Sequence, residues 1–299
     1  MTLYTLAEKN IRKTWLYLAG FFLLIISLGW VISYFLGTSV ILWVAVVFSI
    51  LMSFFSYWYS DKIVLRMARA KPIKKKDNPE LYRLVENLCI TAGLPLPKIY
   101  IIKESQPNAF ATGRNPKNAV VAVTQGLLEK LERVELEGVI AHELSHIGNR
   151  DILLSSIIVV LVGVVVLATD FFFRISFWGG GRRDSQAGQG RVILLLVALA
   201  LAILAPLLAQ LMRLAISRKR EFLADATAAL LTRYPEGLAR ALEKISQDPH
   251  PLRTASDATA HLYIASPFRG RERISWLHRL FMTHPPIEER IKALRGMRV

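Results

Sequence analysis

The sequence predicts a mainly α protein with a small β-sheet, set in a membrane by helical hairpins that carry a domain outside the bilayer. Three observations predict it. No Asp, Glu, Lys or Arg occurs from Thr14 to Ser60. Two later runs, Ile152 to Thr169 and Val192 to Met212, are also uncharged. Between and beyond these runs, helical and strand-like patterns return. With 53% hydrophobic residues and a mean hydropathy of +0.36, the chain is too apolar for a disordered or ordinary soluble protein.

The first uncharged stretch has room for two spans of about 20 residues each. Gly37, Thr38 and Ser39 suit a tight turn between them. The prediction is a helical hairpin, from about Trp15 to Leu36 and from about Val40 to Tyr59. It is too long for one signal-peptide core. Lys9, Arg12 and Lys13 precede it, and Lys62, Arg66, Arg69, Lys71, Lys74, Lys75 and Lys76 follow it. Positive flanks stay in the cytosol, so both ends of the hairpin are expected there.

Residues 61–151 then form the first part of a cytosolic domain. "NPELYRLVENLCITAGLP" spaces Leu81, Leu84, Val85 and Leu88 as one helical face. "KIYIIKE" and "NAVVAVT" read as strands, and "QGLLEKLERVELEGVIAHELSHIGN" returns to helix. Residues 152–212 are expected to form a second membrane hairpin around a flexible linker, 174–191, rich in Gly, Ser and Gln. That linker carries Arg174, Arg182, Arg183 and Arg191 against Asp184, so an outward position runs against the charge rule. Residues 213–299 complete the domain with further helices.

Charge and cysteine usage narrow the function. The net charge is +15. Its Lys and Arg cluster beside apolar runs, which points to topology control and anionic lipid, and no nucleic-acid motif accompanies them. The one cysteine, Cys89, excludes an internal disulfide and a thiolate metal site. It reads as a buried, inert side chain.

The chemistry lies in "VIAHELSHIGNRD", at the mouth of the third apolar run. His142 and His146 are i and i+4, hence on one helix face, where two imidazoles can converge on one metal ion. Glu143 is rotated by about 100° from His142 and can reach a water beside the metal without ligating it. This is the HExxH pattern of zinc hydrolases, which implies one Zn2+ per chain. The alternative is two histidines on a helix surface or in a hydrogen-bonded core. Position 152 is Ile, so a third ligand must come from elsewhere. "SRKREFLADATAA" offers Glu221, with Asp225 at i+4 to accept the free N–H of a ligand histidine. Alternatively, Glu221 pairs with Lys219 or Arg220 on a solvated face. An antiparallel second hairpin favours ligation, since its cytosolic ends are neighbours. It would set the metal roughly 10 to 15 Å from the membrane face.

"NAFATG" at Asn108 to Gly113, "HELSH" at His142 to His146, "EFLAD" at Glu221 to Asp225 and "THPPIEER" at Thr283 to Arg290 resemble the HtpX-type heat-shock membrane metalloproteases, relatives of the CAAX prenyl proteases. The resemblance runs over nearly the whole chain. It implies a gluzincin-like catalytic domain facing the cytosol, on a multi-pass protein of the cytoplasmic (inner) membrane. It implies zinc endopeptidase activity against misfolded or unfolded membrane proteins, with Glu143 as acid/base and His142, His146 and Glu221 as ligands. It adds His284 and Arg290 as groups near the metal, able to stabilise an oxyanion. It also makes Asn108, Ala109, Phe110 and Ala111 an edge strand that binds extended peptide. Two rivals remain: a processing protease of specific or prenylated peptides, and a membrane scaffold with a vestigial zinc site. Glu143 speaks against the latter, since a structural zinc site has no use for it.

Overall fold

The computed structural model describes residues 3–178, 218–256, 258–268 and 285–297. The fourth apolar run, Val192 to Met212, lies outside the described residues, as do 179–191 of the expected linker and His284.

Two long helices open the chain, α1 (Leu3–Leu36) and α2 (Val40–Met67). Gly37, at φ +63°, makes the turn between them. They pack tightly because small residues meet: a Cβ on Gly29 would stand 2.3 Å from the Cβ of Ala45. Asn10–Val31 and Val40–Met67 are each long and apolar enough to cross a membrane. Their outward faces expose Leu16, Leu23, Val44, Ile50 and Phe54, an apolar surface that water would not tolerate but lipid would. Exposed Trp30, Tyr34 and Trp43 lie at the turn end, and Trp15, Trp58 and Tyr59 at the other. These are the two levels at which aromatic rings meet a membrane–water interface.

A four-stranded sheet follows: β1 (Lys71–Pro72), β2 (Lys98–Ile102), β3 (Ala109–Thr112) and β4 (Val120–Thr124), in the order β1-β2-β4-β3. β2 and β4 run parallel; β1–β2 and β3–β4 are antiparallel. The nearly unbroken apolar run of β4 reflects burial on both faces. Val121 and Val123 join one core with Ile99, Ala109 and Ala111. Val120 and Ala122 join a second with Ile102 and Phe110.

The first core is closed by α3 (Pro79–Ala92), α5 (Arg133–Gly148), α7 (Arg218–Thr232), α8 (Pro235–Gln247) and α9 (Ile287–Arg295), with the short α4 (Gln125–Lys130) beside β4. Local signals set these helices. Asn78 caps α3 by accepting from the Leu81 N–H at 3.0 Å, Pro79 follows it, and Gly93 closes the helix in the left-handed region. α5 and α8 cross closely because glycines sit at the crossing. A Cβ on Gly138 would lie 2.8 Å from the Leu238 nitrogen, and one on Gly237 2.7 Å from the Val134 carbonyl oxygen.

The second core is closed by α6 (Asp151–Trp178) and the inner ends of α1 and α2. α6 leaves α5 at a bend of 84°, made by Arg150 at φ +60°. Its first half is buried almost all round, with Leu154, Ile157 and Val159 at 0% exposure. α6 also runs through Arg174–Trp178, the start of the stretch expected to be linker.

Candidate metal centre

α5 presents His142, Glu143 and His146, and α7 packs across it carrying Glu221 and Asp225. The two helices bring together what the sequence separates by 75 positions or more. One ligand atom each from His142, His146 and Glu221 lies within 4.8 Å of the others. The two Nε2 atoms are 3.1 Å apart. Glu221 lies 3.8 Å from His142 Nε2 and 3.7 Å from His146 Nε2. Donors about 2.0–2.2 Å from a tetrahedral ion stand about 3.3 Å apart, so this triangle fits one.

The back of each imidazole is fixed. His142 Nδ1 lies 2.9 Å from Asp225 Oδ1, and His146 Nδ1 lies 3.2 Å from Asp151 Oδ2. With Nδ1–H committed to a carboxylate, each ring turns an Nε2 lone pair toward the other. Two such lone pairs at 3.1 Å repel unless a cation stands between them. The electrostatics agree. Burial alone would lower His146, but Asp151, Glu221 and Glu143 outweigh it and hold the ring up at about 9. His142 is lowered, by its complete burial first, with Asp225 working against that. The carboxylates around His146 thus favour positive charge there, while burial disfavours it on His142.

Glu143 is buried beside the two histidines, in a cleft that Ala111, Ser155, Arg220, His261 and Tyr263 also line. Burial pushes its carboxyl up most, His146 pulls it down and Glu221 adds to the rise, leaving it at about 7. An N–H of Ala111 reaches it from β3.

β3 is an edge of the sheet, and its four expected binding residues divide by register. Asn108 and Phe110 turn their main chain to β4, Asn108 accepting from the Thr124 N–H at 2.9 Å. The Asn108 side chain donates to the Ala265 carbonyl at 3.0 Å. Phe110 is fully buried, edge-on to Tyr263. Ala109 faces outward, but its carbonyl already accepts from the Ile264 N–H at 3.0 Å. Ala111 faces the cleft. The segment from His261 to Ala265 thus runs beside β3 and closes one side of the site.

Arg290 lies beside the cluster, as expected, with Nη1 3.6 Å from Glu221 Oε2 and Nη2 3.5 Å from His142 Nδ1. It is wholly buried, gives Asp225 two hydrogen bonds of 2.8 and 2.7 Å and a third of 2.9 Å to the Ile264 carbonyl, and does not line the cleft. Asp225 stays ionised: burial would raise it, but Arg290 and His142 lower it. Sequence reasoning missed Asp151, Arg220 and Asn10. Arg220 Nη1 donates to Asp151 Oδ1 at 3.1 Å, and Asn10 does so from α1. The only local signal was an acid five residues after His146, at the start of an apolar run.

Known proteins share this chain's pattern. The model of peptidase family M48 matches residues 75–298. A "Protease HtpX homolog" of Thermoanaerobacter pseudethanolicus is 46% identical, over 99% of this chain and 98% of that protein. One from Syntrophobacter fumaroxidans is 50% identical, over 95% and 98%. One from Thermococcus sibiricus is 49% identical, over 88% and 89%. The crystal structure of S. mikatae Ste24p overlaps at a TM-score of 0.48 with 18% identity, over 97% of this chain and 67% of that one, too loosely to assign a fold. The chain belongs to peptidase family M48, and the relatives it matches over nearly its full length are HtpX proteases.

Proposed function

We propose that this metalloprotease is a zinc endopeptidase of the cytoplasmic membrane, with its catalytic domain in the cytosol, that degrades misfolded or unfolded membrane proteins. The observation that carries the reading is the convergence of His142, His146 and Glu221 with Glu143 beside them. Two imidazoles and a carboxylate suit Zn2+, which would polarise a peptide carbonyl and make a neighbouring water acidic. Glu143 accepts the proton of the attacking water and delivers it to the leaving amine. Its burial keeps bulk water from competing. Asp225 and Asp151 hold the two imidazoles in the tautomer that exposes Nε2, and Arg290 fixes Asp225 in turn. With its N–H given to Glu143, Ala111 offers its outward carbonyl to the main chain of an extended peptide. Because main-chain pairing ignores side chains, substrates are chosen by being unfolded.

The hairpin α1–α2 keeps the site beside the bilayer, where such substrates are found. Arg114, in the β3–β4 connection, sits over the Trp58 ring at 4.4 Å, tying the substrate edge to the aromatic level of the hairpin. The cations from Lys62 to Lys76 face anionic lipid headgroups. The test is cleavage of a generic unfolded protein such as casein by purified enzyme with zinc. Glu143→Gln is expected to retain zinc and lose at least about a hundredfold in rate. Full proteolysis by that variant would remove Glu143 from this role.

A further inference from the structure

A buried polar side chain in the membrane hairpin reaches the metal centre. Asn10 lies near the start of α1, five positions before Trp15, hence about 7 to 8 Å along the axis outside that aromatic level. It is 5% exposed. Its amide nitrogen has two hydrogens, and both are used: one bond of 2.8 Å goes to the Asn149 carbonyl and one of 2.7 Å to Asp151 Oδ1. The other oxygen of Asp151 holds His146 Nδ1.

Two consequences follow from that geometry. Asn149 and Asp151 flank Arg150, a non-glycine residue at φ +60°. That left-handed conformation is one a side-chain-bearing residue rarely adopts, and it makes the corner between the histidine-bearing α5 and α6. Asn10 grips the corner on both sides. Asp151 Oδ1 also accepts from Arg220, next to Glu221. Asp151 is therefore a junction where α1, α6 and α7 meet behind His146, and α1 contributes through Asn10.

We infer that Asn10 is a positioning residue for the metal centre, through which the first membrane helix sets the orientation of His146. On this account the hairpin is part of the metal site as well as an anchor. The inference rests on the zinc reading of the cluster. Removing the amide leaves Arg220 alone on Asp151 Oδ1, so the carboxylate turns and His146 loses its fixed direction.

The experiment uses the full-length protein in detergent, stripped of metal and titrated with zinc against a chelating dye. Cobalt(II) spectra report the ligand geometry. Asn10→Asp keeps the shape, removes both donors and adds a like charge beside Asp151. Asn10→Leu removes the polarity. Thr14→Val, one turn on and also buried, is the control, since among the described residues the Thr14 hydroxyl bonds the Asn10 carbonyl alone. Both Asn10 variants are expected to bind one zinc about tenfold more weakly, the low end for loss of an outer hydrogen bond, with a shifted cobalt spectrum. Their KM should hold while kcat falls at limiting zinc and recovers at saturating zinc. Thr14→Val should match the parent. If Asn10→Leu does not fold, Asn10→Asp decides alone. A folded Asn10→Asp protein with parental zinc affinity and cobalt spectrum would overturn the inference. A parent protein that binds no zinc would instead overturn the reading of the site itself.

Discussion

Replacing Arg290 by methionine removes a guanidinium while keeping much of its aliphatic length. Arg290 and Asp225 are both 0% exposed, and the pair is joined by hydrogen bonds of 2.7 and 2.8 Å. Among the described residues, the variant leaves Asp225 as a buried charge with His142 alone for a side-chain partner. Breaking such a pair on one side costs about 3–5 kcal/mol. Each kcal/mol moves the melting point of a domain this size by about 2–4 °C, so a loss of about 10 °C is expected. Asp225 then no longer fixes His142, and zinc affinity falls about 10- to 100-fold. Thermal melting, a zinc titration and turnover at saturating zinc separate the possibilities. A bracing Arg290 predicts lower stability and affinity, with turnover largely restored once zinc saturates. An Arg290 that meets the reacting carbonyl predicts full zinc occupancy with turnover still about a hundredfold down. That second result would refute the bracing role. Unchanged melting would refute the energetic account of the buried pair.

Other consequences are independent of that pair. Gly138→Val should lower stability by about 1–3 kcal/mol in a melting experiment, since its side chain meets the Leu238 backbone. Glu221→Ala should lower zinc occupancy in metal analysis, and unchanged stoichiometry would move the third ligand elsewhere. Cys89 is buried and its thiol is pushed up to about 11, by burial first and Glu86 second; it should react with a thiol reagent only after denaturation. Asp248 gives an acid limb. Burial would raise it, but Lys130 and the His250 N–H outweigh that and hold it below its ordinary 3.8. Its contribution is therefore full above 3.8 and vanishes as pH falls through the folded value. In melts from pH 7 to 3, Asp248→Asn should lack that limb.

Local spacing made much of the site legible. His142 and His146 on one helix face, and Glu221 with Asp225 on another, need only the period of a helix. The double burial of β4 is visible in "VVAVT", and the hairpin in an uncharged run broken by Gly37. What was not legible depends on distant contacts. Asn10 is 141 positions from Asp151 and sits where an anchor was read. Arg290 adjoins Glu288 and Glu289 in the sequence, yet it reaches Asp225 and Glu221 on another helix. β1 is two residues inside a basic run, and only the edge of β2 makes it a strand. The linker boundary at 174 followed composition, but "RISFW" is apolar enough to continue α6, and the helix carries through it to Trp178.

The claim on which the rest stands is that one metal ion is held by side chains from α5 and α7. Zinc analysis of the purified protein and of His142→Ala, His146→Ala and Glu221→Ala tests it most directly. The account predicts one zinc per parent chain, near-zero occupancy in the histidine variants and a clear loss in Glu221→Ala, with each variant still folded. Parental zinc content in a folded His142→Ala or His146→Ala protein would contradict it.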